Sequence, residues 1–503
     1  MQTNILEYLE ATAPRLPEKL AFSDGTEGLS FREVYGQARA VGSSLLARGA
    51  DREPVVVFME RHPKMAAAFF GAVYAGCFYV PIDGEMPGFR VEMIFRQLQP
   101  RFVICDGKTR EQAAALAPEG AQVLLYDQAA VCAANEGALA QVRQDALDTD
   151  PVYIVFTSGS TGTPKGVAAC HRSVLDYIER LDEVLDVTEE TVFGNQTPLY
   201  FDACLKELYS TIRCGATTYL IPKQLFSFPV KLVEYLNEYK INTVCWVVSA
   251  LTMISGFKVL DKHIPEYFHT VAFGSEVFPM KQFKLWRAAL PKARFINLYG
   301  PTEATGMSCW YEVDREFDEG EVLPIGRPFP NTGLLLLNEE DRPAAPGEPG
   351  EICLRGTCLT LGYYGDFQRT REVFVQNPLN KAYPELIYRT GDIGRLNDRG
   401  ELVFLTRKDN QIKHMGHRIE LGEIEVVAAA CEGVRGVGCV YNKEKKRLIL
   451  CYEGECEAGS LGRYLRAKLP SYMVPNRIVP IEALPRTANG KLDRRALAAE
   501  MAD

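Results

Sequence analysis

Short runs that are apolar at nearly every position alternate along this chain with longer segments of helical periodicity. "PVVVFM", "RFVICD", "AQVLLYD", "TVCWVV" and "HTVAFG" are of the first kind. "FREVYGQARAVGSSLLARG" and "VKLVEYLNEYK" are of the second. A strand apolar throughout needs cover on both faces, so the alternation predicts an α/β fold with largely parallel sheets covered by helices. The texture changes after about Gly326, where "NEEDRPAAPGEPGEICLRG" and "GRLNDRGELVFLTRKDNQIKHMG" read as hairpins and turns. They predict a β-rich subdomain over about 326–408. A separate helix–strand pattern runs through the tail, and the charged, turn-prone stretch at Lys408–Asp409 sets the expected boundary. The predicted organisation is an N-terminal core at 1–408 and a small α+β domain at 409–503, within the two to four domains that 503 residues allow.

Charge and composition exclude several classes. A net charge of −9 argues against a broad nucleic-acid footprint. The apolar run "MAAAFFGAVYAGCFYV" is broken by glycines and leads into "PIDGEMP", so no membrane insertion is expected. "MQTNILEYLEATAPRLPEKL" lacks the basic start and apolar centre of a secretory signal, which makes the expected location cytoplasmic. The 14 cysteines are scattered without a CxxC pair, and His414 and His417 have no third ligand nearby. Unbonded thiols and no metal cage of that kind are the reading.

One stretch carries chemistry on its face: "YIVFTSGSTGTPKG", Tyr153 to Gly166. A strand runs into Thr157, Ser158, Gly159, Ser160, Thr161 and Gly162, which join hydroxyls to unhindered backbone N–H groups. Such a loop wraps an anion, and Lys165 adds a mobile positive charge for phosphate oxygens. A P-loop NTPase would need lysine directly after the second glycine, then Ser or Thr. Here Thr163 and Pro164 intervene, so Walker-type chemistry is disfavoured.

"FTSGSTGTPKG" resembles the signature loop of the adenylate-forming superfamily, which includes acyl-CoA synthetases, luciferases and the amino-acid adenylation domains of nonribosomal peptide synthesis. Further stretches match in the family's order: "LSFREV", "AGCFYVPID", "FDACLKE", "LYGPTE", "GEICLRG", "YRTGDIG", "TRKDNQIKHMGHRIELGEIE", "LPSYMVP" and "NGKLDR". The resemblance implies that an acid's carboxylate attacks the α-phosphate of ATP, releasing pyrophosphate, and that a thiol then displaces AMP. It also implies the fold of that superfamily, a large N-terminal domain of stacked mixed sheets and a small mobile C-terminal domain. Both steps develop charge and need no protein nucleophile, so cations, backbone donors and a metal ligand should do the work.

Residue by residue, the resemblance makes Lys491 the catalytic lysine bridging substrate carboxylate and phosphate, and Glu303 the carboxylate associated with Mg²⁺. Asp392 becomes the ribose-binding acid and Arg407 the nucleotide-side arginine. Gly274, Ser275 and Glu276, with Asn297, Leu298, Tyr299 and Gly300, fall where the family lines its adenine pocket, Tyr299 beside the base; Thr302 joins the ATP-binding set. Asp409 falls at the hinge about which the small domain rotates between the half-reactions.

Asp202 in "FDACLKE" resembles the aspartate that pairs with an amino-acid substrate's α-ammonium group; the bland alternative is a helix cap. Lys206 lies four residues on. It is either an intrahelical partner of Asp202 or a side-chain-pocket residue selecting an acidic amino acid such as glutamate or aspartate. By family position Ala203, Trp246, Val271, Phe273, Leu298, Gly306 and Met307 complete that pocket. The D-alanine–carrier-protein ligases are similar in length, yet they carry a cysteine where Gly274 stands and an apolar residue where Lys206 stands. The expected acceptor is the phosphopantetheine thiol of a separate carrier protein. Coenzyme A is the alternative acceptor, and a non-catalytic nucleotide-binding scaffold the alternative class.

Overall fold

The structure is a computed structural model that describes residues 2–159, 163–408, 411–486 and 492–501. Ser160, Thr161, Gly162, Asp409 and Lys491, all named above, lie outside the described residues. The chain divides into two compact units. One comprises 1–84, 100–155 and 166–408; the other gathers 85–99, 156–165 and 409–503.

The first unit is built on mixed sheets, and among the described residues the longest has nine strands. Six of these run parallel, in the order Arg294–Tyr299, Thr270–Gly274, Thr243–Val247, Val192–Asn195, Thr217–Leu220 and Leu20–Ser23. Antiparallel strands close both edges. "PVVVFM" and "RFVICD" lie in a second, seven-stranded sheet, where Pro54–Met59 is buried at all six positions, as its unbroken apolar sequence requires. The helix Phe31–Leu46 packs mainly on the helix Lys64–Tyr74, and its start explains "LSFREV" physically. Ser30 accepts from the Glu33 N–H while Glu33 accepts from the Ser30 N–H, a reciprocal capping box. The β-rich stretch forms a five-stranded antiparallel sheet of Thr332–Leu337, Gly350–Gly356, Leu386–Leu396, Phe374–Gln376 and Leu402–Arg407.

The second unit has its own core. Ile424 and Leu461 pack with Leu448 and Leu450 of the strand Arg447–Gly454. The helix Gly88–Leu98 belongs to this unit, where Arg90 forms a buried ion pair with Glu423 at 2.5 Å. Among the described residues no helix is long and apolar enough to cross a membrane.

Gly326 marks where the nine-stranded sheet and the five-stranded sheet meet, bridged to Leu402. Its φ is +78°, and a Cβ there would lie 2.0 Å from the Trp310 carbonyl oxygen. Gly326→Ala therefore meets backbone strain and a backbone clash together, and should lower stability by about 2–4 kcal/mol, read as the urea midpoint.

Candidate functional site

Three parallel strands end side by side, in register Trp246–Phe273–Asn297 and Val247–Gly274–Leu298. The carboxyl ends of parallel strands are where an α/β sheet leaves a crevice. A small pocket of about 10 Å³ lies there, lined by Trp246, Phe273, Gly274, Leu298 and Met307 with Ala203 and Lys206 from the facing helix start. Gly274 is needed for close approach: a Cβ would lie 2.4 Å from the Leu298 carbonyl oxygen. The sheet register thus excludes a cysteine side chain at 274 with this backbone. Trp246 is pinned by its indole N–H donating to the Gly194 carbonyl at 2.7 Å.

Asp202 and Lys206 sit at the start of one helical stretch, Asp202–Cys204 running into Leu205–Cys214. Lys206 is 3% exposed, and no carboxylate among the described residues lies within ion-pair distance of it. Asp202, half-buried, likewise has no cation within that distance among the described residues. Burial raises its carboxyl above the usual range, while Thr302 and Lys206 draw it down and Glu303 pushes it up. The sequence alternative of a close intrahelical ion pair is not what the geometry shows. The next residue, Glu207, is buried, and neither carboxylate oxygen closes a hydrogen bond among the described residues. Burial pushes it up to about 7, against the pull of Lys206, Asn195 and Arg61.

Glu303 is fully buried and accepts from the Tyr363 hydroxyl at 2.7 Å. Its hard carboxylate oxygens are of the kind Mg²⁺ takes together with phosphate oxygens. Among the described residues no three His, Cys, Asp or Glu side chains gather as a protein-only metal cage. Asp392, also buried, accepts from the Tyr299 hydroxyl at 2.6 Å and from Arg407 at 2.5 Å. Arg407 also donates to the Thr390 carbonyl at 3.1 Å. Tyr299 is 5% exposed, so in this structure its ring is a wall that orients Asp392 through the hydroxyl.

Other expected nucleotide-side residues have structural partners. Asn297 donates its side-chain amide to the Pro324 carbonyl at 2.8 Å. Glu276 accepts from the Ser249 N–H at 2.7 Å, at the start of the helix Val248–Gly256. Ser275 has φ +68°, an uncommon conformation for a non-glycine residue, at the pocket's edge. Thr302, buried, stands beside Asp202.

In the second unit, Ser158 donates to the Arg418 carbonyl at 2.8 Å, and the Gly159 N–H donates to Glu423 at 3.2 Å. Lys165 opens the strand Lys165–Cys170 and is buried. The buried Thr157 hydroxyl has no hydrogen-bond partner among the described residues, which suits a hydroxyl reserved for a ligand.

Of the expected pocket residues, Ala203, Lys206, Trp246, Phe273, Leu298 and Met307 line the cavity. Val271 instead lies in the hydrophobic core two residues deeper on the Phe273 strand. Gly306, at φ +91°, lies next to Met307 and over the Tyr177 ring. Thr197, Cys245 and Val247 line the pocket and were not anticipated. Cys245 and Val247 flank Trp246, and strand alternation gave no reason to expect all three at one cavity. Tyr363, which holds Glu303, had no local signal either.

The sequence pattern described as "AMP-binding enzyme" matches residues 9–364. Tyrocidine synthase 1 of Brevibacillus parabrevis is 30% identical over 98% of this chain and 45% of its own length. The D-alanine–D-alanyl carrier protein ligase of Bacillus licheniformis is 29% identical over 99% of each chain. The Vibrio cholerae adenylation domain AlmE, solved with glycyl-adenosine-5'-phosphate, superposes with a TM-score of 0.84 over 100% of this chain and 98% of its own, at 21% identity; at that identity the likeness is one of fold. The chain spans less than half the length of tyrocidine synthase 1 and 9% of bacitracin synthase 1.

Glu207 makes stability depend on pH in a definite direction. The folded protein keeps its proton up to about 7, whereas the ordinary value is 4.5. Its contribution therefore falls as pH rises from about 4.5 to about 7, by roughly 3 kcal/mol. Glu207→Gln should remove that loss, so urea midpoints at pH 5 and 8 converge in the variant. An unchanged pH dependence would show that another group titrates.

Proposed function

The chain belongs to the AMP-binding enzyme family, and from that premise we propose that it activates an amino acid with ATP and transfers it to the phosphopantetheine thiol of a separate carrier protein. In the first step the substrate carboxylate oxygen bonds to the α-phosphorus of ATP and the bond to the β,γ-pyrophosphate breaks. In the second the carrier thiol, giving up its proton, attacks the aminoacyl carbonyl and AMP leaves. The resemblance of residues 157–165 to the family loop assigns them to the departing phosphates. Glu303 would hold Mg²⁺, which neutralises phosphate charge, and Asp392, oriented by Tyr299 and Arg407, would accept from the ribose hydroxyls. Lys491 is assigned to the developing charge at the reacting carboxylate, and Asp409 to the hinge before the small C-terminal domain.

The observation that carries the reading is two charged side chains at one helix start, a buried Lys206 and a half-buried Asp202, neither within ion-pair distance of an opposite charge among the described residues. A buried charge without a partner is costly, and an amino acid supplies the missing partners. Asp202 takes the α-ammonium group. Lys206, projecting among Trp246, Phe273, Leu298 and Met307, takes a side-chain carboxylate. The α-carboxylate is left for ATP. The substrate class is therefore an acidic amino acid, with D-alanine disfavoured because it would leave Lys206 buried and unpaired.

ATP–pyrophosphate exchange over a panel of amino acids tests both parts. Glutamate or aspartate should exceed its amide in kcat/KM by about 10- to 100-fold, the value of one charge-assisted contact. Lys206→Met should abolish that preference while neutral amino acids still exchange; an unaltered preference would sink the acidic assignment alone. Exchange with no amino acid would sink the whole reading. Lys491→Ala should cut the exchange rate by about two to three orders of magnitude. Thioester formed on coenzyme A but on no carrier would transfer the second step to the other acceptor.

A further inference from the structure

A second cavity, of about 220 Å³, lies in the first unit among the helices Leu6–Arg15, Phe31–Leu46, Lys64–Tyr74 and Glu136–Asp145. It is separate from the pocket described above: Asp202, Lys206, Glu303 and Asp392 do not line it. One wall is apolar and aromatic, with Leu139, Val142 and the rings of Tyr35 and Tyr74 set edge to face at 6.5 Å.

The rest of the lining is polar and carries three carboxylates, Glu10, Glu136 and Asp150, of which Glu10 pairs with Arg143 and Glu136 with Arg39; the buried lining atoms left without a partner among the described residues are the Arg143 Nη1 and the Tyr74 hydroxyl. His171 is 3% exposed and accepts the Ile5 N–H at Nδ1, at 3.2 Å. Burial, then Arg143, pushes its imidazole down to about 3, so the ring is neutral and its proton sits on Nε2. Asn4 is 5% exposed, and its Oδ1 accepts the Leu6 N–H at 3.0 Å, which fixes the amide's orientation. The Asn4 Nδ2 then faces the His171 Nε2 at 3.4 Å. Two N–H donors are turned toward one another, and neither can accept from the other. Arg143 gives one nitrogen to Glu10, but its buried Nη1 has no partner among the described residues. The Tyr74 hydroxyl, 7% exposed as a residue, lies near the Glu10 carboxylate without closing a hydrogen bond to it.

We propose that this cavity is a binding site for a small monocarboxylate with an apolar or aromatic body, one carboxylate oxygen bridging the Asn4 and His171 N–H groups. Paired buried donors require an acceptor. The Arg143 guanidinium favours a charged one. The ring-lined wall takes the body of the molecule, where water would gain little. The volume falls below the roughly 300 Å³ at which drug-sized pockets begin, so the ligand is no larger than a singly substituted ring. The site is independent of the adenylation reading and stands or falls without it.

Benzoate is the probe, titrated calorimetrically into the full chain. Saturable binding is expected, abolished by Val142→Trp, which fills the cavity from a half-exposed position. Asn4→Asp keeps the shape and the Leu6 contact but replaces a donor with a carboxylate, and should weaken benzoate at least tenfold. Asn4→Asp also guards against misfolding of the bulky variant. Absence of binding, or binding that both variants leave intact because benzoate sits elsewhere, overturns the proposal. So does a benzoate-soaked crystal showing only water between Asn4 and His171.

Discussion

The parallel register of three strands, Trp246 beside Phe273 beside Asn297 and Val247 beside Gly274 beside Leu298, is the constraint on which the site depends. Parallel pairing brings the three carboxyl ends to one edge, and the chain leaves each strand there to build a wall. The register holds only if residue 274 lacks a side chain, because the Leu298 carbonyl occupies the place a Cβ would take. Trp246, tied to the Gly194 carbonyl, then becomes a fixed floor. A pocket built this way is shaped by backbone hydrogen bonds more than by side-chain choice. Its selectivity is left to the few groups that enter from the facing helix.

Those groups are charged and incompletely paired. Asp202, Lys206 and Glu207 crowd one helix start, and Glu303 acts on Asp202 from across the site. Other buried charges among the described residues are matched within the fold, as where Arg90 meets Glu423. The contrast separates charges that hold the fold from charges held in readiness for a ligand. Asp182 makes the same point, since its buried carboxylate has Arg213 at 2.8 Å. Lys206 has no such partner among the described residues.

Much of this was legible in the amino-acid sequence. Unbroken apolar runs announced covered parallel strands. The loop after "YIVF" reads as an anion site by composition, and Ser160, Thr161 and Gly162 of it lie outside the described residues. Position-by-position resemblance supplied Ala203, Lys206, Trp246, Phe273, Leu298 and Met307 together. It failed at Val271, because a strand's inner residues descend into the core and only its last ones reach the crevice. Tyr299 drew attention for its ring, yet its hydroxyl is what acts, through Asp392, which lies 93 positions along the chain.

The sequence by itself determined the elements, the family and the chemical types at the site, because periodicity, caps and motif spacing are local and survive in one dimension. Tertiary structure alone decided which charges are paired. Whether Lys206 meets Asp202 depends on side-chain direction at a helix start, and whether Asn4 faces His171 depends on bringing together residues 167 positions apart. Pairing is a matter of a few ångströms between distant parts of the chain, and no local pattern encodes that distance.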